Sequence, residues 1–236
     1  MKPPVIELPD GTRVPILYED RSVLAIDKPT GWMLAPATWK NTSRNLQREL
    51  MISIQCGEYW ARSRNLKFVR YIHRLDAETS GVLLLGKSAG AVSALSELFE
   101  SRLMGKKYLA VVHGIPKETS WVCRLGISEE PGAKGQMRVD ERHGKEAETA
   151  FHVLERGQDK ALVEAAPRTG RTHQIRVHLA AAGHPVLGDS LYGGRGRDLA
   201  LRAIELSYTD PFQKRPVRIL APTEEFRRRF QFATTR

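Results

Sequence analysis

Cysteine is scarce: Cys56 and Cys123 are the only two in 236 residues, and they stand in unrelated contexts with no CxxC spacing. That excludes a disulfide framework and points to reduced, cytosolic thiols. Long apolar runs are missing as well. No stretch approaches the length of a membrane span, and Met1-Lys2-Pro3-Pro4 lacks the apolar core of a signal peptide. The chain is therefore expected to be soluble and cytoplasmic, without a membrane partner. Internal repeats, low-complexity blocks and long linkers are also absent, which predicts one compact domain large enough to bury a full core.

Acid is in short supply. Against 37 Lys and Arg stand 27 Asp and Glu, a formal charge of +10. Such an excess favours polyanions through counterion release, so nucleic acid leads the possible partners. A charged surface that serves only solubility is the plainer reading.

What is present alternates between strand and helix patterns. Val23 to Ile26 reads as a strand ended by the turn Lys28-Pro29-Thr30-Gly31. Thr42 or Ser43 is placed to cap a helix with Leu46, Leu50 and Ile54 on one face. Phe68–Leu75 and Val82–Leu85 are β-like. Ser88 opens a helix carrying Val92, Leu95 and Phe99, with Gly105 beyond its end. Strands are predicted at Lys107–Val112, Ala147–Leu154 and Ala161–Ala165, with an exposed hairpin or loop across Ser128–Gly144. A helix over Thr172–Ala182 is expected to face the core with Ile175, Leu179 and Ala182, and Gly183 stops it. Strands at Leu201–Leu206 and Val217–Leu220 precede a terminal helix with Phe226 and Phe230. Strands outnumber helices, which predicts a largely antiparallel or mixed sheet with helices packed on it.

Three segments hold the residue types that do chemistry. In His73-Arg74-Leu75-Asp76-Ala77-Glu78-Thr79-Ser80-Gly81 a carboxylate sits two residues from a guanidinium at a strand-to-turn junction. The short hydroxylated residues and glycine that follow let a ligand approach the backbone. With several cations nearby, Asp76 is expected to be ionised at neutral pH and available as nucleophile or base. A turn Asp capping its own backbone is the commoner outcome for such a residue in isolation. Just before it, Arg62, Arg64, Lys67, Arg70 and Arg74 occur with no acid among them, interleaved with Tyr59, Trp60, Phe68 and Tyr71. That mixture suits phosphate contact with base stacking, or else a solvated basic edge with its aromatics turned inward.

The second segment, Arg168-Thr169-Gly170-Arg171-Thr172-His173-Gln174-Ile175-Arg176-Val177-His178, again lacks acid. Gly170 and Thr172 sit where a helix should begin, a position that favours anions. His173 and Arg176 are three apart and share a helix face, which is either surface or site. His173, His178 and His184 have no Cys, Asp or Glu at ligand spacing, so no metal is expected. The third segment is Gly105-Lys106-Lys107-Tyr108-Leu109-Ala110. Tyr108 there is either an ordinary strand aromatic or a platform for a flipped base.

Taken in order, these segments resemble the RluA-type RNA pseudouridine synthases. The resemblance runs from Leu17-Tyr18-Glu19-Asp20 and Asp27-Lys28-Pro29-Thr30-Gly31 through His73-Arg74-Leu75-Asp76 and Thr79-Ser80-Gly81. It continues with Lys106-Lys107-Tyr108-Leu109-Ala110 and Gly144-Lys145-Glu146-Ala147-Glu148-Thr149. It closes with Thr169 to Leu179 and with Gly183-His184-Pro185-Val186-Leu187-Gly188-Asp189-Ser190-Leu191-Tyr192-Gly193. It implies an α+β pseudouridine synthase fold, a mixed, largely antiparallel sheet with flanking helices. One catalytic domain would span residues 1–236, with its core at about 16–222. The N-terminal S4-like module of many relatives is not expected.

The implied reaction exchanges the N1–C1′ bond of uridine for C5–C1′ in ribosomal or transfer RNA. It is redox-neutral, so no cofactor is expected. By the same resemblance Asp76 is the essential carboxylate, attacking C1′ or the pyrimidine ring. Arg176 pairs with it, Tyr108 stacks on the uracil, and Arg74 enters the RNA where the base leaves. His73, Thr79, Arg171, His173, Arg62, Arg64 and Arg70 complete the expected substrate contacts. A monomer is expected. The Gln55–Leu66 segment matches nothing in the family pattern and is a candidate specificity loop. A pure RNA chaperone would need none of the Asp76, Tyr108 and Arg176 trio. A hydrolase using Asp76 would need a second carboxylate or a metal set.

Overall fold

Apolar runs broken by turn residues set the first strands. β1 (Val5–Glu7), β2 (Arg13–Glu19) and β3 (Val23–Lys28) pair antiparallel in succession. The computed structural model describes residues 2–34, 44–133, 135–193, 196 and 198–232. These fall into two compact units, Met1–Met104 with Leu206–Ala221, and Gly105–Glu205 with Pro222–Arg236.

In the first unit α1 (Leu46–Gln55) buries Leu46 and Leu50. Its cap is Asn45, whose side chain accepts from Arg48 N–H at 3.1 Å; Thr42 and Ser43, the expected caps, lie outside the described residues. A short α2 (Tyr59–Arg62) follows, then β4 (Arg70–Tyr71), β5 (Ser80–Gly86) and α3 (Ala89–Glu100). The β-like Phe68–Leu75 run is therefore extended and paired over two residues only. β5 is buried at six of its seven positions, as an interior strand covered on both faces must be. Ser88 caps α3 as its sequence predicts, accepting from Ala91 N–H at 3.1 Å. The helix crosses β5 closely: a Cβ on Gly86 would come within 2.6 Å of Val92.

The second unit opens with β6 (Gly105–His113) and continues through β7 (Ser120–Cys123), β8 (Ile127–Glu129), β9 (Met137–Val139), β10 (Thr149–Arg156) and β11 (Lys160–Pro167). Its strand order is β6-β11-β10-β7, all antiparallel. β8 and β9 pair separately as the expected hairpin. α4 (Gln174–Ala181) packs Ile175 and Leu179 into the main apolar cluster with Leu109, Val111, Phe151 and Val163. Val177, on another side of α4, joins Ile127 and Ala147. The single apolar face predicted for this helix is thus replaced by burial of every residue from Gln174 to Leu179. Ala182 is exposed instead of facing the core.

β12 (Leu201–Thr209) runs in sequence from the second unit into the first, followed by β13 (Pro216–Leu220) and, back in the second, α5 (Glu224–Arg229). The first unit has the order β1-β2-β3-β5-β12, with β4 on β5 and β13 on β12. Its core gathers Val23, Ala25, Val82, Leu84, Leu95, Leu206, Tyr208 and Ile219. Charge follows the dipole in α5, with Glu224 and Glu225 in its first turn and three arginines in its last.

Candidate active site

The loop that carries Asp76 joins β4 to β5 and is anchored from β3. Lys28, at the end of β3, is fully buried, and its ammonium donates to Pro29 O at 3.1 Å, Ala77 O at 2.9 Å and Thr79 O at 2.9 Å. Burial lowers Lys28 to about 8, against the pull of the Glu78 and Asp76 carboxylates, which favour its charged form. Gly31 N–H donates to Ala77 O at 2.8 Å and Thr30 Oγ1 to Glu78 O at 2.8 Å. Within the loop, Thr79 N–H donates to Asp76 O at 3.1 Å. The Lys28-Pro29-Thr30-Gly31 turn is therefore the clamp that sets the backbone on either side of Asp76.

The expected substrate residues around Asp76 divide by exposure. Arg74 is exposed. His73 is packed inward: its ring stacks on Phe99 at 4.8 Å, and Nε2 accepts from Leu84 N–H at 3.1 Å. That places His73 as a pin between the loop, β5 and α3. Thr79 is buried, and its hydroxyl has no hydrogen-bond partner among the described residues.

Arg62 and Arg70 are exposed, and the Arg62 guanidinium lies 6.0 Å from the ring of the exposed Tyr59. Arg64 departs from its expected role. Its side chain is 3 % exposed, and it donates to Glu19 Oε2 at 2.9 Å, Trp60 O at 3.0 Å and Pro3 O at 2.7 Å. Glu19 also pairs with Lys87 at 2.9 Å and Lys2 at 3.1 Å. A guanidinium held in that network, with its side chain almost wholly buried, fixes α2 in place. The aromatics divide likewise: Trp60 is buried and Tyr59 faces out.

In the second unit Arg176 and His173 both meet Tyr192, for a reason that helical spacing did not anticipate. His173 has φ of 53° and stands outside α4 as its N-cap. A left-handed non-glycine residue is a costly conformation that the surroundings must impose. His173 Nδ1 lies 2.8 Å from the Tyr192 hydroxyl, which accepts from Met137 N–H at 2.9 Å. The Arg176 guanidinium lies 5.2 Å from the centre of the same ring. Asp189, fully buried, takes Arg176 Nε at 2.7 Å and Nη2 at 2.8 Å. Gly188 presents Asp189 with φ of 76°, and a Cβ there would fall 2.0 Å from Asp198 O.

Gln174, buried at the start of α4, uses its whole amide. Oε1 accepts from Thr169 Oγ1 at 2.7 Å and Arg171 N–H at 2.9 Å, while Nε2 donates to Glu148 O and Thr149 Oγ1, both at 2.9 Å. Arg171 Nε donates to Glu146 O at 2.9 Å. The Thr169–Arg171 turn is thereby fixed to β10. Tyr108, in β6, is partly buried against the main cluster of this unit.

The three histidines do not form a ligand set. His178 is hydrogen-bonded at both nitrogens, to Thr149 Oγ1 at 2.9 Å and Leu125 O at 3.0 Å, and His184 Nδ1 lies 3.0 Å from His113 O. Among the described residues no cluster of three His, Cys, Asp or Glu could hold a metal. No described helix is long and apolar enough to cross a membrane. Sequence reasoning missed Lys28 as the support of the loop around Asp76 and Asp189 as the partner of Arg176. Asp189 had a signal: it is the only acid between Glu164 and Asp198, and a buried arginine needs a carboxylate.

The RNA pseudouridylate synthase family model matches residues 22–181. The ribosomal large subunit pseudouridine synthase C of Escherichia coli is 35% identical over 228 residues, covering 89% of this chain and 66% of that protein. Its counterpart in Buchnera aphidicola is 34% identical over 229 residues, covering 89% and 68%. The chain thus spans about two thirds of the length of these relatives. Among solved structures, the human RNA pseudouridylate synthase domain containing 1 superposes with a TM-score of 0.72 at 27% identity, covering 89% of this chain and 84% of that one. The human domain containing 4 protein, at 24% identity and a TM-score of 0.75, shares the fold over 94% of both chains. The α+β pseudouridine synthase fold implied by the motifs is the one observed, and the chain belongs to the RNA pseudouridylate synthase family, isomerases of uridine to pseudouridine in RNA.

Proposed function

We propose that this chain isomerises one or a few uridines of ribosomal RNA to pseudouridine, with its two units working as one catalytic domain. The supporting observation is the family match over residues 22–181, which takes in Asp76, Tyr108 and Arg176 in family order. The preference for ribosomal over transfer RNA follows the names of the relatives.

In this reading Asp76 attacks the ribose C1′ or the pyrimidine ring, and the N1–C1′ bond breaks. The uracil turns within its pocket, C5 bonds to C1′, the bond to Asp76 breaks and returns the free carboxylate, and C5 gives up its proton while N1 gains one. Substrate and product are isomers, and the balance needs no oxidant or reductant. Tyr108 stacks on the uracil and assists removal of the C5 proton. Arg176 is the cationic partner of the Asp76 carboxylate. Arg74 enters the RNA where the base is extruded, and Arg62, Arg70, Arg171, His173 and Thr79 line the path of the strand. Arg64 is left out because its side chain is buried and holds Glu19, Trp60 and Pro3. His73 supports the loop. The protein acts as a monomer in the cytoplasm.

The test is direct. The purified chain, incubated without cofactor with ribosomal RNA from a strain lacking the gene, should restore the pseudouridines lost in that strain. Transfer RNA from the same strain is the comparison. No gain in either RNA would contradict the reading.

A further inference from the structure

Two lysines stand side by side at the start of β6 and have opposite surroundings. Lys107 is paired with Glu164 at 2.9 Å. Lys106, on the other face of the strand, has no carboxylate partner among the described residues. Its ammonium makes one hydrogen bond, to Thr169 O at 2.8 Å, and burial alone lowers it, to about 8. Glu164 of the neighbouring β11 is taken by Lys107, and Glu148, just before β10, by Arg124 at 2.9 Å and Arg168 at 3.8 Å. Burying a cation without its counter-ion is costly, and such groups usually shift or find a partner.

Its position is fixed rather than incidental. Thr169 is itself buried and tied by its hydroxyl to Gln174 Oε1 and Glu148 N–H. A Cβ on Gly170 would come within 3.9 Å of the Lys106 ammonium. Strand alternation puts Lys106 on the same face of β6 as Tyr108, two residues on. An ammonium has three donors, and the described residues take up one.

We propose that Lys106 binds a phosphodiester oxygen of the substrate RNA strand next to the nucleotide that Tyr108 receives. The position of the nucleotide rests on the function proposed above, but the phosphate contact does not require that any chemistry occur.

The experiment measures the dissociation constant of a single-stranded RNA oligonucleotide against salt for the full chain and for Lys106→Met, Lys106→Arg and Lys107→Met. Loss of one phosphate contact lowers the slope of log Kd on log salt by about 0.7 and weakens binding by about tenfold or more. Lys106→Met should show both changes, and Lys106→Arg should restore the slope. Lys107→Met should keep the slope. Thermal unfolding checks folding, and Lys106→Met should be no less stable because it removes a half-buried charge. An unchanged slope and affinity in a folded Lys106→Met overturns the proposal, as does an equal loss in Lys107→Met. Wild-type protein that binds with the Lys106-dependent slope yet forms no pseudouridine leaves this contact standing and removes the isomerase reading. Conversion with no Lys106-dependent slope does the reverse.

Discussion

Asp189 holds the guanidinium of Arg176 with both carboxylate oxygens, 2.7 Å from Nε and 2.8 Å from Nη2, and neither side chain is more than 4 % exposed. Tyr192 lies 5.2 Å from the same guanidinium. A bidentate contact with an aromatic wall leaves Arg176 little freedom, so its remaining donor edge is aimed by the protein. Asp189 is on this account a positioning residue for Arg176.

Removing that carboxylate strands a buried cation. Asp189→Ala should lower stability by about 3–5 kcal/mol, a fall in melting temperature of roughly 10 °C for a chain of this size. Asp189→Glu should not rescue it, because an added methylene in a fully buried site displaces the carboxylate from its two bonds to Arg176. Calorimetry on the two variants checks both statements.

Arg62 and Arg64 are two residues apart in sequence and should behave oppositely. Arg64→Ala removes three hydrogen bonds around Glu19 and α2 and should destabilise by about 2 kcal/mol. Arg62→Ala changes an exposed side chain and should alter stability by no more than about 0.5 kcal/mol. RNA binding should weaken in Arg62→Ala, with a smaller salt slope. Denaturant titration and RNA titration on both proteins separate the two roles.

Lys28 makes stability depend on alkaline pH. Its folded value of about 8 is below the 10.5 of a free lysine, so between these limits the unfolded chain binds more protons than the folded one. Stability therefore rises with pH across that window, by up to about 1.4 kcal/mol per pH unit from this residue. Below pH 8 the buried charge is a standing cost. The stability difference between wild type and Lys28→Met should accordingly shift in favour of wild type from pH 8 to pH 10. Urea midpoints at the two pH values read it out; a difference that stays constant would show that Lys28 titrates normally.

Strand and helix positions were readable wherever one apolar pattern decided them. Ser88 capped its helix, and β3, β5, β10 and β11 fell where their apolar runs lie. The misses share a cause, which is that tertiary partners overrode local pattern. α4 begins at Gln174 because His173 adopts a left-handed conformation and bonds to Tyr192, which no local rule predicts. It is buried all round because two separate apolar clusters flank it. β1 and β2, with Pro15 among their residues, carry too little periodicity to stand out, and the four-residue α2 is held by Trp60 and Arg64.

The candidate site was legible as residue types and order, and much less so as contacts. Asp76, Tyr108 and Arg176 could be picked from motif order. The hydrogen bonds from Lys28 to the loop around Asp76, and the grip of Asp189 on Arg176, depend on which buried charge meets which acceptor. Basic character alone misassigned Arg64, because a run of arginines does not say which one faces inward.

The central claim is that the Asp76 carboxylate performs the bond exchange. The most direct measurement is single-turnover formation of pseudouridine in ribosomal RNA by Asp76→Asn, with RNA affinity measured on the same preparation. The account predicts that conversion falls by at least about a thousandfold while affinity stays within a few-fold of wild type. Conversion by Asp76→Asn at the wild-type rate would contradict it.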